Sequence, residues 1–195
     1  MKKGKIIVLA APSGCGKSTI INALVEQGDL NLGFAVSATT RPPRTGEKHG
    51  VNYYFMSVEE FRDAISENEF VEYEEVYPGR LYGTLRSEID RITNQGHNII
   101  LDLDVNGALR VKDLYANEAL AIFIEPPSIA ELRRRLQSRG TESAANIDER
   151  IDRAEYEISK APAFDRRIVN DDLVTAIRQT RNLIDGFLTL SGAPV

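Results

Sequence analysis

The segment Ala11-Pro12-Ser13-Gly14-Cys15-Gly16-Lys17-Ser18-Thr19 carries the clearest chemistry in the chain. It matches the phosphate-loop pattern everywhere but its first position, where Ala11 stands for glycine. Gly14 and Gly16 let the backbone curl so that successive N–H groups face a phosphate. A helix starting near Lys17 would add its positive end. Lys17 would reach the β- and γ-phosphates of a nucleotide, and the Ser18 hydroxyl would ligate Mg2+ directly. The plain alternative is a glycine-rich turn joining strand to helix; a Lys-Ser pair at the correct glycine spacing argues against it. Ala11 costs little if its φ stays negative. Cys15 is either a reactive thiol at a helix N-terminus or a small residue filling an open position, and the second is the simpler reading. Asp102 closes the apolar run Ile99-Ile100-Leu101, at the strand edge where parallel sheets place ligands. Beside a phosphate loop it would organise Mg2+, usually through water. Asp104 could equally be the cap of a helix starting near Asn106.

Ser37-Ala38-Thr39-Thr40-Arg41-Pro42-Pro43-Arg44-Thr45-Gly46-Glu47 brings two arginines onto one proline-stiffened loop. Two fixed guanidinium forks suit a second phosphate, gripped bidentately. Hydroxyls at Tyr53 and Tyr82 could complete the grip. Most loop arginines are merely solvated, so this segment alone leaves both readings open. A third basic group is Arg133-Arg134-Arg135, Arg139 and Arg150; on a helix, Arg135 and Arg139 share a face. A basic, solvent-facing helix is the alternative there. His49 and His97 have no partner pattern and read as loop residues.

These groups need a scaffold, and the hydrophobic pattern supplies one. Ile6 to Ala10 is a β-branched run suited to a strand buried on both faces of a parallel sheet. Ser18 to Gln27 has helical spacing, with Gly28 as its cap. Further apolar runs lie at Ile99 to Leu101, Ala119 to Ile124 and Ile168-Val169. Amphipathic stretches occupy Gly107 to Tyr115, Ser128 to Gln137, Ile147 to Lys160 and Asp172 to Leu190. Strands alternating with helices predict an α/β fold with a parallel sheet. The stretch from Phe34 to Gln95, rich in Tyr, Thr and Glu, reads instead as a small α+β insertion. Gly140 to Ser143 reads as a polar, mobile flap.

The 195 residues predict one domain with an insertion, and 42% hydrophobic residues suffice for a core. A net charge of −5 leaves anion binding to local clusters rather than to the overall field. Neither nucleic acid nor membrane is expected as a partner, and protein partners are left open. One cysteine and no long apolar run point to the cytoplasm.

From Ile6 to about Leu188 the chain resembles the guanylate kinases. The resemblance rests on the phosphate loop, the double-arginine segment, Glu69-Phe70-Val71-Glu72, Leu81-Tyr82-Gly83-Thr84, Leu101 to Gly107, Arg133 to Gly140 and Val169 to Asp172. It implies a P-loop NTPase three-layer fold: a core at 1–33, 97–136 and 150–195, a GMP-binding insert at about 34–96, and a lid at about 137–149. It implies ATP and GMP as substrates, with Mg2+. Arg41, Arg44, Tyr53 and Tyr82 would hold the GMP phosphate. Ser37, Glu72 and Thr84 would read guanine, with Asp102 or Asp104 nearby. Arg135, Arg139 and Arg150 would face the ATP phosphates, and Asn170 the adenine. Lys17, Arg41, Arg135 and Arg150 would carry catalysis. The base-reading makes chemical sense: a carboxylate accepts both guanine N1–H and N2–H, whereas adenine N1 is itself an acceptor and clashes in polarity. Asn106 stands where the family often has Gln. Three rivals are a phosphoprotein-binding module of the same shape, another small P-loop kinase, and a nucleic-acid-binding ATPase, the last disfavoured by the net charge of −5. Lys17 and Ser18 favour an enzyme over the first, and Glu72 with Ser37 and Thr84 favours guanine over the second.

Overall fold

The structure is a computed structural model describing residues 3–138 and 144–190. Five parallel strands form the central sheet: β1 (Ile6–Ala10), β2 (Leu32–Phe34), β7 (Asn98–Asp102), β8 (Ala119–Glu125) and β9 (Arg166–Val169), in the order β2-β7-β1-β8-β9. All five residues of β1 are buried, as its unbroken apolar run requires when helices cover both faces.

Alternation along the strands divides the core in two. Ile7 and Leu9 point towards α1 (Lys17–Gln27), α5 (Ile129–Ser138), α6 (Ala144–Lys160) and α7 (Leu173–Leu190), through Leu24, Leu132, Ile151 and Ile184. Ile6, Val8 and Ala10 point towards α3 (Arg86–Asn94) and α4 (Val105–Tyr115), through Ile89, Ile92 and Val111. The result is three layers, helix on sheet on helix. Gly28 ends α1 with φ +71°. Among the described residues no helix is long and apolar enough to cross a membrane.

A second sheet has the order β4-β3-β6-β5: β4 (Tyr54–Phe55), β3 (Ala38–Thr39), β6 (Arg80–Leu85) and β5 (Phe70–Tyr77). Helix α2 (Val58–Ser66) packs on it through Phe61, whose ring stacks on Phe70 at 4.2 Å. A capping box starts α2: Glu60 N donates to Ser57 Oγ, and Ser57 N donates to the Glu60 carboxylate. Helix α3 falls inside the stretch expected to be an insert, yet its Ile89 and Ile92 pack against the central sheet. Its buried Glu88 accepts from Val36 N at 3.1 Å and Tyr54 Oη at 3.0 Å, tying the smaller sheet to the larger unit.

Candidate active site

Two clefts open at the C-terminal edge of the central sheet. The first, about 550 Å3, lies over the phosphate loop, residues 11–19. Gly14 and Gly16 hold left-handed φ values of +93° and +82°, and α1 begins at Lys17. Ala11 keeps φ outside that region, so the missing glycine costs the loop no strain. Gly16 is required twice over: a Cβ there would lie 2.7 Å from Asn170 Nδ2.

Lys17 Nζ pairs with Asp102 Oδ1 at 2.6 Å and donates to Leu103 O at 2.7 Å. Ser18 Oγ donates to Asp102 Oδ2 at 3.4 Å. The hydroxyl and the carboxylate therefore adjoin at the mouth of the loop, both open to solvent. Among the described residues no three His, Cys, Asp or Glu side chains cluster into a metal cage. One hydroxyl and one carboxylate, both hard oxygen donors, fit an ion that keeps most of its shell from water and phosphate.

Cys15 is fully buried, and burial pushes its thiol up to about 12. It fills space and is not a nucleophile. Thr19 is exposed at the start of α1.

The second cleft, about 330 Å3, runs between the two sheets and is lined by Ser37, Glu72, Tyr82, Thr84, Asp102 and Asp104. Its chemistry follows from strand register. Glu72 pairs across the ladder with Thr84, and Glu74 with Tyr82, so all four side chains share a face. Thr84 Oγ1 donates to Glu72 Oε1 at 2.7 Å. Burial pushes the Glu72 carboxyl above the usual range; the Thr84 hydroxyl opposes this and the Asp104 charge adds to it. Gly83 turns the other way, where a Cβ would meet Glu72 O at 2.7 Å and the Phe70 ring at 2.8 Å. That close packing accounts for the glycine between Tyr82 and Thr84. Asp104 is the cap of α4, accepting from Gly107 N at 2.7 Å while also lining the cleft.

The paired arginines behave differently from one another. Arg41 is buried: its Nη2 reaches both Glu47 oxygens at 2.8 and 3.0 Å, and its guanidinium sits over the rings of Tyr53 and Phe55. Glu47 also accepts from Arg44 N at 2.7 Å. Pairing with Glu47 raises the Arg41 pKa, and pairing with Arg41 lowers that of Glu47. The Arg44 side chain is exposed. Tyr53 and Tyr82 meet edge to face, with ring centroids 6.1 Å apart. Glu47, which accepts from Arg41 and from the Arg44 backbone, closes the double-arginine segment yet carries no signal of its own in the sequence.

On the far side, Arg150 donates to Ser13 Oγ at 3.2 Å, so α6 reaches the phosphate loop. Arg135 bonds to Glu131 Oε1 at 2.8 Å and to Asn170 O at 2.9 Å, and so spans from α5 to the end of β9. Arg134 and Arg135 together hold the Glu131 carboxyl at about 2. Arg133 pairs with Asp148 and Arg134 with Glu131, and neither they nor Arg135 line the first cleft. Arg139 and the flap at Gly140 to Ser143 lie outside the described residues.

Asn170 does not line the first cleft. It is buried, and its Nδ2 donates to Cys15 O at 2.7 Å, which tethers the phosphate loop from behind. Asn170→Ala removes a buried hydrogen bond and is expected to cost about 1–3 kcal/mol, read as a lower urea midpoint. A midpoint unchanged from the native chain would show the tether to be idle. His49 and His97 sit in loops, bonded to Phe55 N and Asn31 Oδ1.

A phosphate loop on a parallel α/β sheet, beside a second polar cleft that shares its acidic wall, defines a P-loop nucleotide-binding protein. Comparison with known proteins narrows the class. The family model described as guanylate kinase matches residues 3–186. The guanylate kinase of Porphyromonas gingivalis is 55% identical over 184 residues, covering 94% of this chain and 98% of the relative. That of Salinibacter ruber is 47% identical over 189 residues, covering 97% and 100%. The crystal structure of guanylate kinase from Anaplasma phagocytophilum superposes with a TM-score of 0.70 at 35% identity, covering 96% of this chain and 87% of that one. The chain belongs to the guanylate kinase family, the nucleoside monophosphate kinases that act as ATP:GMP phosphotransferases.

Proposed function

We propose that the chain moves the γ-phosphate of ATP directly to GMP, and to dGMP, with ATP on the loop at 11–19 and the acceptor in the cleft between the sheets. The observation that carries this is the shared wall: Asp102, Leu103 and Asp104 line both clefts, so the two substrates would meet there. Lys17 would leave Asp102 for the donor phosphates. Arg135, Arg139 and Arg150 would face the same phosphates, with Arg139 belonging to a lid at about 137–149.

Arg41, Arg44, Tyr53 and Tyr82 would take the acceptor phosphate. Arg41 is already aimed by Glu47, whereas Arg44 is free to swing in. Ser37, Glu72 and Thr84 would read the base, with Asp104 beside them; the Glu72–Thr84 pairing supports this by holding a carboxylate ready for the N1–H and N2–H of guanine. Asn170 we assign to supporting the loop; its burial argues against a contact with adenine.

Ser18 and Asp102 would hold Mg2+, the first directly and the second through water. The ion would neutralise charge on the phosphate oxygens. No covalent enzyme intermediate is needed, since positioning and charge stabilisation suffice for phosphoryl transfer. Insert and lid closing over the clefts would exclude water and spare ATP from hydrolysis. The reading places the protein in the cytoplasm, in purine nucleotide metabolism and GMP recycling.

Coupled ADP release across GMP, dGMP, AMP, CMP and UMP tests the reading. Strong turnover with GMP and dGMP, and little with AMP, is expected. Comparable turnover with AMP would reject the assignment of Glu72.

A further inference from the structure

Helix α6 carries two stripes. Ile147, Ile151 and Ala154 turn into the core. Arg150, Arg153 and Glu157, at i, i+3 and i+7, share the neighbouring face, and all three line the cleft over the phosphate loop. Of these only Arg150 stands out from the sequence.

Glu157 is 6% exposed, an acid set into the wall of a cleft built for anions. Burial pushes its carboxyl up, and the hydrogen bond from Arg153 opposes this. Arg153 Nε donates to Glu157 Oε1 at 3.1 Å. That bond uses one of the five guanidinium donors. Among the described residues neither Nη group donates a hydrogen bond to protein, and the side chain is 61% exposed. Glu157 thus fixes the plane of the guanidinium at one corner and leaves its fork open to the cleft.

The direction of that fork follows from its neighbours. Arg150 reaches back to Ser13 of the phosphate loop. Arg153, roughly 4.5 Å further along the helix axis, lines the first cleft together with Asp104, which also lines the acceptor cleft. It therefore stands between the donor loop and the acceptor site. A buried acid there would repel phosphate unless cations offset it; Arg153 is the one hydrogen-bonded to it, with Lys17 in the same cleft.

We propose that Arg153 is a further catalytic residue, its two open Nη groups gripping non-bridging oxygens of the phosphoryl group between the two clefts, and that Glu157 is the positioning residue that aims it. A planar fork held at Nε presents parallel donors, the geometry a phosphate accepts. The inference rests on the two-cleft reading above.

The test is steady-state ADP release by the full chain at saturating MgATP and GMP, with the native chain alongside. Arg153→Ala is expected to lower kcat by about 10- to 100-fold while the thermal midpoint stays within about 3 °C. Ethylguanidine in the assay is expected to restore activity by about fivefold or more, because it refills a site rather than repairs a fold. Glu157→Gln is expected to lower kcat about threefold or more in the native background and to change nothing further in the Arg153→Ala background, since its effect runs through the arginine. An Arg153→Ala variant within about twofold of native kcat overturns the proposal. So does a loss that ethylguanidine leaves untouched and that tracks a falling midpoint. A native chain inactive towards GMP would instead sink the two-cleft reading, so the two failures are separable.

Discussion

Lys17→Ala is expected to lower kcat for phosphate transfer by about three orders of magnitude, the scale of a lost transition-state cation in phosphoryl transfer. The Nζ of Lys17 sits 2.6 Å from Asp102 at the mouth of the phosphate loop, in reach of any phosphate seated there. Stability should hardly notice the change. The Lys17–Asp102 pair is partly solvated, and such pairs contribute about 0–1 kcal/mol. For a chain of this size that is a midpoint shift within about 4 °C. Rapid-quench measurement of ATP consumption with GMP present, beside a thermal melt, checks both halves. Near-native turnover in the variant would mean that the donor phosphates bind elsewhere.

Glu72→Gln is expected to lower kcat/KM for GMP by about 10- to 100-fold, the value of one good bidentate base contact. Activity with AMP should be little changed. The variant should be at least as stable as the native chain at pH 7, and the sign follows from linkage. The folded Glu72 carboxyl titrates above its unfolded value of about 4.5 because burial disfavours the charge. Its ionised form therefore works against folding, and this cost appears as pH rises through the raised folded pKa. Gln removes the charge and keeps an oxygen for the Thr84 hydroxyl. The same shift sets a pH limb on catalysis. For the native chain kcat/KM for GMP should fall on acidification through that raised pKa, earlier than for an ordinary Glu, and the E72Q profile should lack this limb. GMP kinetics from pH 5 to 8, with urea melts, would decide. An E72Q variant within about threefold of native kcat/KM would remove Glu72 from base recognition.

Much of this architecture is legible in the residues, for identifiable reasons. β1 is read to the residue, because Ile6 to Ala10 is an unbroken apolar run ended by a proline- and glycine-rich loop. β2 escapes, since Leu32-Gly33-Phe34 is short, half exposed and interrupted by glycine, and joins the sheet only through β7. Helices α2 and α3 lie in a stretch whose tyrosines and glutamates disguise them. The Ser57-x-x-Glu60 box and the Ile89/Ile92 spacing were the available signals. Helix α4 starts two residues before Gly107, where the periodicity begins, because Asp104 caps it. At the site, the phosphate loop and the Glu72–Thr84 pair depend on local pattern and on resemblance. The grip of Glu47 on Arg41, the tether from Asn170 to Cys15 and the pairing of Arg153 with Glu157 depend on side-chain direction, which spacing alone does not convey.

The sealed position of Cys15 has a practical outcome. A thiol held near pKa 12 with no exposed surface should ignore maleimides and iodoacetamide under native conditions. Because the chain has no other cysteine, dyes placed through new cysteines on α2 and near the start of α6 would report distances between those two arms, in an otherwise unaltered background, while nucleotides come and go.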